Sequence, residues 1–294
     1  MKVGLALPTV DVRSGRPTAL SELAARAERA EQAGFDSVWV MDHYWTERQD
    51  GRRGAHEPMV TLSYLAARTS RLRLGTLVVC NSFRHPGQLG RGALALAEAS
   101  QGRFILGLGA GWHQPEYDAF GIPFDHRVGR LAETLWVLPP LLRGEPVTHH
   151  GSYVRLEGAS LVKGEHAPPL WLAGAGPRML ELTARHAAGW NAAWYGEDPG
   201  RFRASLGGLR AAMAEAGRPE AEIEVSVGLF VLPDPARSRQ EEAIVGGPEH
   251  VADRLRAYGE AGADLAIVSL ATSPFAELDP SYPAEMAEAL RHLG

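Results

Sequence analysis

Pro168-Pro-Leu-Trp-Leu-Ala-Gly-Ala-Gly-Pro-Arg-Met179 reads as a short buried strand, a glycine turn and the opening of a helix. Leu170 to Ala173 are uniformly apolar, as a strand covered on both faces must be. Gly174 and Gly176 let the chain turn tightly and leave bare backbone open to a ligand. Pro177 suits the first helical position, where its missing N–H costs nothing. A helix N-terminus gathers unpaired N–H groups and the positive end of the macrodipole, so the turn is a candidate phosphate cradle. The same residues also serve as an ordinary βα turn without a ligand, and from the turn alone both readings stand.

Working outward, the same strand-then-helix unit recurs along the chain. Apolar strands are predicted at 2–7, 37–41, 72–79, 103–108, 170–173, 190–194, 223–232 and 265–269. Helices are predicted at 18–33, 58–68, 86–100, 127–142, 177–188, 199–216, 248–261 and 284–293. Residues 113–126, with Pro115 and Pro123, read as a loop, and 233–242 as a polar loop. An internal echo marks the units: Glu31-Gln-Ala-Gly-Phe-Asp36 and Glu260-Ala-Gly-Ala-Asp264 each close a helix at glycine just before a strand. Residues 144–167 break the rhythm, and His149-His150-Gly151 suggests an inserted hairpin. Eight such units predict an α/β protein of the (β/α)8 TIM-barrel type, one domain over 1–294, with an insertion after the fourth helix. A doubly wound sheet is the alternative, and the regularity of the units and the lack of a linker argue against it.

Composition narrows the function. The 294 residues are 45% hydrophobic and 22% charged, as expected of a globular protein with a core. A net charge of −5 gives no footprint for nucleic acid. A single cysteine, Cys80, excludes a disulfide framework and fits a reducing cytoplasm. The N-terminal segment lacks a signal-peptide pattern, and no apolar run reaches the roughly 20 residues of a membrane helix. The expectation is therefore a cytoplasmic protein acting on a small molecule.

In such a barrel the chemistry sits at the C-terminal ends of the strands. Asp42-His43-Tyr44-Trp45 follows the second strand, Cys80 to Pro86 the third, Gly109-Ala-Gly-Trp-His-Gln-Pro-Glu116 the fourth, Gly174 to Arg178 the fifth, and Trp194-Tyr195 the sixth. This rim is rich in aromatics and glycine and has few carboxylates, which suits a flat anionic cofactor better than a metal. His43 is the candidate proton donor or acceptor, although a histidine bonded structurally at a strand end fits equally well. Asp42 is placed to orient it, or simply to cap the strand. Trp112 has the best case among the tryptophans for touching a ligand, the others reading as core. Cys80 with His85 is a weak nucleophile pair, and His149-His150 lack partners for a metal. Arg84, Arg127, Arg130 and Arg178 could together hold an anionic tail, or each remain solvated. Gly107-Leu-Gly-Ala-Gly111 lacks the spacing and the following helix of a dinucleotide fingerprint.

Taken as a set, six segments resemble the bacterial luciferase-like monooxygenase superfamily, and within it the branch using the deazaflavin coenzyme F420. They are Lys2 to Pro8, Ala33 to His43, Leu74 to Val79, Gly107 to His113, Leu172 to Arg178 and Gly247 to Leu255. The resemblance implies a flavin-type ring across the strand ends and a bulged third strand with a non-prolyl cis peptide at Leu77–Val78. It implies a cofactor phosphate on the N–H groups of Ala175 and Gly176 with Arg178 nearby. Ala110 and Gly111 would meet the tail from the opposite side, and Asp42 and Cys80 would line the ring. It favours a homodimer. The expected activity is hydride transfer between F420 and a small organic substrate. Two alternatives are an FMN-dependent monooxygenase with a separate reductase partner and a non-catalytic flavin-binding barrel. Some F420 dehydrogenases carry glutamate directly after the fourth-strand glycines; here that position is Trp112, which argues against a sugar-phosphate substrate.

Overall fold

The computed structural model describes residues 1–11, 14, 16–48, 51–232 and 243–270. Eight parallel strands close on themselves: β1 (Lys2–Ala6), β2 (Ser37–Val40), β3 (Arg73–Thr76), β4 (Phe104–Gly109), β5 (Leu170–Ala173), β6 (Gly189–Tyr195), β7 (Glu224–Leu232) and β8 (Leu265–Ser269). Each pairs with its sequence neighbour, and β8 pairs with β1 to complete the ring. The expected (β/α)8 barrel is therefore the fold. Helices α1 (Leu20–Ala33), α2 (Pro58–Ala66), α3 (Pro86–Ala99), α4 (Gln114–Phe120), α5 (Arg127–Arg143), α6 (Pro177–His186), α7 (Gly200–Glu215) and α8 (Pro248–Glu260) connect the strands. The helix expected at 284–293 and the loop at 233–242 lie outside the described residues.

Several local features differ from the sequence expectation. The fourth crossover carries two helices, because Pro115 opens α4 within the stretch read as a loop. An antiparallel hairpin, Trp45–Arg48 with Gly51–Gly54, follows β2 and was not foreseen. Between α5 and β5 the chain forms the expected inserted hairpin, Val147–His150 with Arg155–Ala159, but His149 and His150 lie in its first strand rather than at its turn. The third strand is not continuous to Val79. It stops at Thr76, crosses a cis Leu77–Val78 peptide, the bond the family resemblance implied, and pairs again with β4 at Val79–Cys80. A second cis peptide, Ala193–Trp194, lies at a register shift in β6.

The barrel interior is filled by two tryptophans, Trp39 and Trp171, whose rings lie 5.4 Å apart with Ala6, Ile105, Leu265 and Ile267 around them. Glycines on the neighbouring strands make the room. A Cβ at Gly75 would overlap the Trp39 ring, and one at Gly189 would overlap that of Trp171. The echoed aspartates do matching work at the opposite, N-terminal end. Asp36 accepts the Val3 N–H at 2.7 Å, and Asp264 accepts the Val225 N–H at 2.8 Å. Each thereby ties the start of its strand to the strand beside it. Arg73 closes this floor with a two-pronged bond to Glu224, at 2.7 and 2.9 Å. A groove of about 1080 Å³ opens here, remote from the aromatic rim.

Candidate active site

At the other end, the tips of β2, β3 and β4 and helix α4 enclose a cavity of about 320 Å³. Of the residues singled out from sequence, Asp42, His43, Leu77, Val78, Cys80, Gly111 and Trp112 line it. Ala110 stands beside it, accepting the Tyr117 hydroxyl at 3.0 Å. Gly174, Ala175, Gly176 and Arg178 do not line it; they lie on the adjoining rim, since β5 pairs with β4.

Asp42 is buried and does not orient His43, as sequence had suggested. Its oxygens accept the Cys80 backbone N–H at 2.9 Å and both terminal nitrogens of Arg84. Arg84 also donates to Glu57, the cap of α2, at 2.6 Å, and its guanidinium is held well above the usual range by these carboxylates despite burial. Asp42 thus anchors the strand that restarts after the cis peptide. Across that break, Thr76 replaces the missing ladder: its hydroxyl donates to the Gly107 carbonyl at 2.8 Å and accepts the Gly107 N–H at 2.9 Å.

His43 is oriented by Glu116, in the first turn of α4. Glu116 is 1% exposed. Its Oε1 accepts the backbone N–H groups of Tyr44, at 2.5 Å, and Trp45, at 3.2 Å. Its Oε2 lies 2.8 Å from Nδ1 of His43 and 3.1 Å from Nδ1 of His113. Burial pushes the Glu116 carboxyl up, but the bonds from His43, Trp45 and His113 outweigh it and hold the group below its ordinary value. An ionised carboxylate only accepts, so both Nδ1 atoms carry protons, and a neutral His43 keeps its lone pair on Nε2. Among the described residues, His43, His113 and Glu116 also form a group whose ligand atoms lie within 4.8 Å of one another, a spacing that could hold a cation.

Tyr117, next on α4, sits 3.0 Å from the Cys80 sulfur, and Gly111, at φ 81°, passes so close that a Cβ would overlap the Tyr117 hydroxyl. Burial pushes the Cys80 thiol up to about 11, and His85 instead caps α3 through the Gly87 N–H, so the nucleophile pair does not form. Trp112 projects to solvent, 67% exposed, edge-on to His43 at 5.7 Å. Trp136, read as core, is likewise exposed. Trp194 lines the cavity from β6 and stacks on Phe230 at 4.7 Å.

The four candidate tail arginines are separately engaged. Arg84 is on Asp42 and Glu57, Arg127 on the Phe124 carbonyl, Arg130 on Asp125, and Arg178 on Glu181. The turn before α6 keeps ligand-accessible backbone. Ala175 and Gly176 are exposed, no side chain caps the helix, and a Cβ at Gly176 would meet nothing within 4 Å. His149 and His150 lie on the inserted hairpin, paired with Glu133 and Glu157.

His113 and Glu116 fall in the rim stretch after the fourth strand and Phe83 in that after the third, but neither these nor Tyr117 had a role assigned from sequence. The signal for His113, Glu116 and Tyr117 was Gln114-Pro-Glu ahead of Gly121, which marks a short helix with proline at its start and glycine at its stop.

A closed barrel with an aromatic, histidine-bearing cavity at its strand ends defines a cofactor-dependent barrel enzyme rather than a dinucleotide fold. The chain belongs to the luciferase-like monooxygenase family, whose model matches residues 1–243. It is 31% identical over 254 residues to a 5,10-methylenetetrahydromethanopterin reductase of Methanolobus tindarius, covering 83% of this chain and 74% of the relative. It is 33% identical over 227 residues to an F420-dependent glucose-6-phosphate dehydrogenase of Nakamurella multipartita, covering 74% and 66%. The fold matches that of a coenzyme F420-dependent tetrahydromethanopterin reductase from Methanopyrus kandleri with a TM-score of 0.79, at 20% identity over 100% of this chain and 99% of that one. No helix among the described residues is long and apolar enough to cross a membrane.

Proposed function

We propose that this chain is an F420-dependent oxidoreductase transferring a hydride between the deazaflavin and a small organic substrate. The observation that carries the reading is one cavity in which the apolar Leu77–Val78 ledge faces a histidine whose protonation is set by a buried carboxylate. The relatives' stated use of F420 supports the same cofactor here.

The site fits the cofactor on its own features. Leu77 and Val78 would give a ring an apolar backing, beside Gly111, whose bare Cα is packed against Tyr117 and Cys80. Asp42, Cys80 and Trp112 surround that position. The uncapped start of α6, with Gly174, Ala175 and Gly176, would offer N–H groups to a phosphate; Arg178, which holds Glu181 in the structure, and Ala110 and Gly111 would complete the tail site. F420, when bound, donates or accepts the hydride. The chain's own residues then position, exclude water and move one proton: His43 Nε2 accepts the proton of a substrate hydroxyl as the carbonyl forms, and returns it in the reverse direction. Glu116 keeps Nδ1 protonated throughout.

Replacing His43 with alanine tests this role. Turnover is expected to vanish while F420 binding persists; unchanged turnover sinks it. Titration of the purified protein with F420 and with FMN tests the cofactor, and tight FMN binding with no F420 response overturns the choice. The reading also takes the chain as a single-domain, cytoplasmic homodimer with a flavin or F420 reductase as partner; light scattering tests the dimer and reconstitution the reductase.

A further inference from the structure

The proton step uses one imidazole on Glu116, yet the structure puts two there. His113, the residue that precedes α4, brings its Nδ1 to 3.1 Å from Oε2, the same oxygen that lies 2.8 Å from Nδ1 of His43. Orienting His43 needs the carboxylate alone, so His113 has no part in that step. All three groups are withdrawn from solvent. The side chains of His43 and His113 are 13% and 16% exposed, and that of Glu116 is 1% exposed.

The set has the composition and the spacing of a metal site. One ligand atom from each residue lies within 4.8 Å of the other two, and this is the one such group among the described residues. At bond lengths of about 2.1 Å, neighbouring donors stand about 3.0 Å apart on an octahedral ion and about 3.4 Å apart on a tetrahedral one. The separations of 2.8 and 3.1 Å therefore need little opening to admit an ion. The carboxylate is also held as a ligand must be. Its Oε1 accepts the Tyr44 and Trp45 N–H groups, which leaves Oε2 as the single ligand oxygen and fixes its direction. Two imidazoles with one carboxylate suit Zn²⁺, Co²⁺ or Ni²⁺, whereas Mg²⁺ and Ca²⁺ favour oxygen ligands alone. All three residues line the cavity, so water can complete the shell. The sequence favoured a cofactor over a metal because the rim has few carboxylates; this set needs only one, and it is buried.

We propose that His43, His113 and Glu116 bind one divalent ion of the zinc, cobalt and nickel class, and that the bound ion switches off the proton acceptor at His43. The site stands without the F420-dependent reading; its consequence for turnover rests on that reading. In the metal-free chain both Nδ1 atoms carry protons directed at Oε2. The ion takes the Nδ1 lone pairs. Each imidazole then loses its Nδ1 proton to solvent and gains one at Nε2, so both rings stay neutral and no electrons are exchanged. His43 now presents an N–H where it presented a lone pair, and it cannot take the proton of a substrate hydroxyl. One carboxylate thus supports two alternative states, a proton-bearing pair that is competent and a metal-bound pair that is not.

The first probe is Co²⁺ alone, titrated into the full chain without cofactor. The rings of Trp112 and Trp45 lie 5.1 and 5.4 Å from that of His113, so a paramagnetic ion bound here quenches tryptophan fluorescence. Calorimetry counts the ions. One tightly held Co²⁺ per chain is expected, displaced by Zn²⁺ with return of the fluorescence, and not displaced by Mg²⁺ in about 100-fold excess. His113→Gln keeps a donor for Glu116 but offers no imidazole. It is expected to weaken Co²⁺ more than about 100-fold, beyond the 10–100-fold that loss of a merely supporting bond costs. The second probe is Zn²⁺, followed by nitrogen NMR of isotope-labelled histidines in the parent chain. His43 and His113 are expected to pass from the Nδ1–H to the Nε2–H form. A titration without binding, displacement by Mg²⁺, or a His113→Gln affinity within about tenfold of the parent overturns the site. Histidine signals that keep the Nδ1–H form at saturating Zn²⁺ overturn the switch. F420 binding is measured separately by its own fluorescence. If F420 does not bind, the functional reading fails while both metal measurements still decide the site.

Discussion

Glu116 accepts four N–H groups through two oxygens, and Glu116→Gln tests what that arrangement does. The amide has one acceptor oxygen and one donor nitrogen. If the nitrogen faced Tyr44 and Trp45, two buried backbone donors would lose their partner, at about 1–3 kcal/mol each. The oxygen therefore stays on the backbone and the NH2 turns toward the histidines. Each Nδ1 must then accept, so the proton moves to Nε2 and His43 presents a donor where it presented an acceptor. Loss of a correctly protonated acid–base partner costs about 10²–10⁴-fold in rate, and that is the expected fall in kcat. F420 affinity should change by less than about twofold, since the backbone bonds persist. Exchanging charge-assisted for neutral bonds should lower stability by about 1–2 kcal/mol, a few degrees in Tm for a chain of this size. Glu116→Asp keeps the anion and should fall between the two. There is also a pH signature. The carboxyl lies below its ordinary value of 4.5 in the folded state, so its stabilisation is full above that pH and is lost as pH falls through the lower folded value. Acid denaturation should be correspondingly shallower in the glutamine variant. A kcat within about threefold of the parent in a folded Glu116→Gln protein would refute the argument.

Three further outcomes follow from the same geometry. Gly75→Ala places a methyl into the Trp39 ring and should destabilise the barrel by about 3 kcal/mol in urea denaturation, with little loss if the core tolerates overpacking. Asp264→Ala and Asp36→Ala each strand a strand-end N–H and should each cost about 1–2 kcal/mol, the same within error if the echo is functional duplication. Cys80, with its thiol pushed up to about 11, should react slowly with a thiol reagent at pH 8, and labelling at the rate of a free thiol would contradict its burial.

Most of the barrel could be read because its units are local. Apolar runs, glycine stops and strand-leading aspartates are short-range signals, and the Gly-x-Asp echo turned out to serve one task at two places. The parts that could not be read depend on partners far along the chain. The break in the third strand is tolerated because Thr76 bonds Gly107, 31 residues away. The family resemblance implied the break at Leu77–Val78, but not the Thr76–Gly107 bonds that span it. Trp39 and Trp171 could be placed in a core, but not against each other, because that contact depends on closure of the ring.

The site was legible to the same degree. His43, Asp42 and the strand-end glycines follow from position alone once the barrel is granted. Pairing His43 with Asp42 followed from adjacency, and adjacency misled: consecutive residues at a strand end point apart, so Asp42 turned to Cys80 and Arg84. The true partner comes from α4, 73 residues on. This short helix reaches back across the tip of β3, with Tyr117 on Cys80, to the tip of β2, with Glu116 on the Tyr44 and Trp45 backbone. It thus fastens three strand ends into one wall. That wall also fixes the proton on His43. The rigid seating of the ledge and the acid–base state of the histidine therefore depend on the same seven residues, Gln114–Phe120. A change that loosens α4 should impair both together, whereas a change at the Gly174–Gly176 turn should weaken cofactor binding and leave the histidine's protonation untouched.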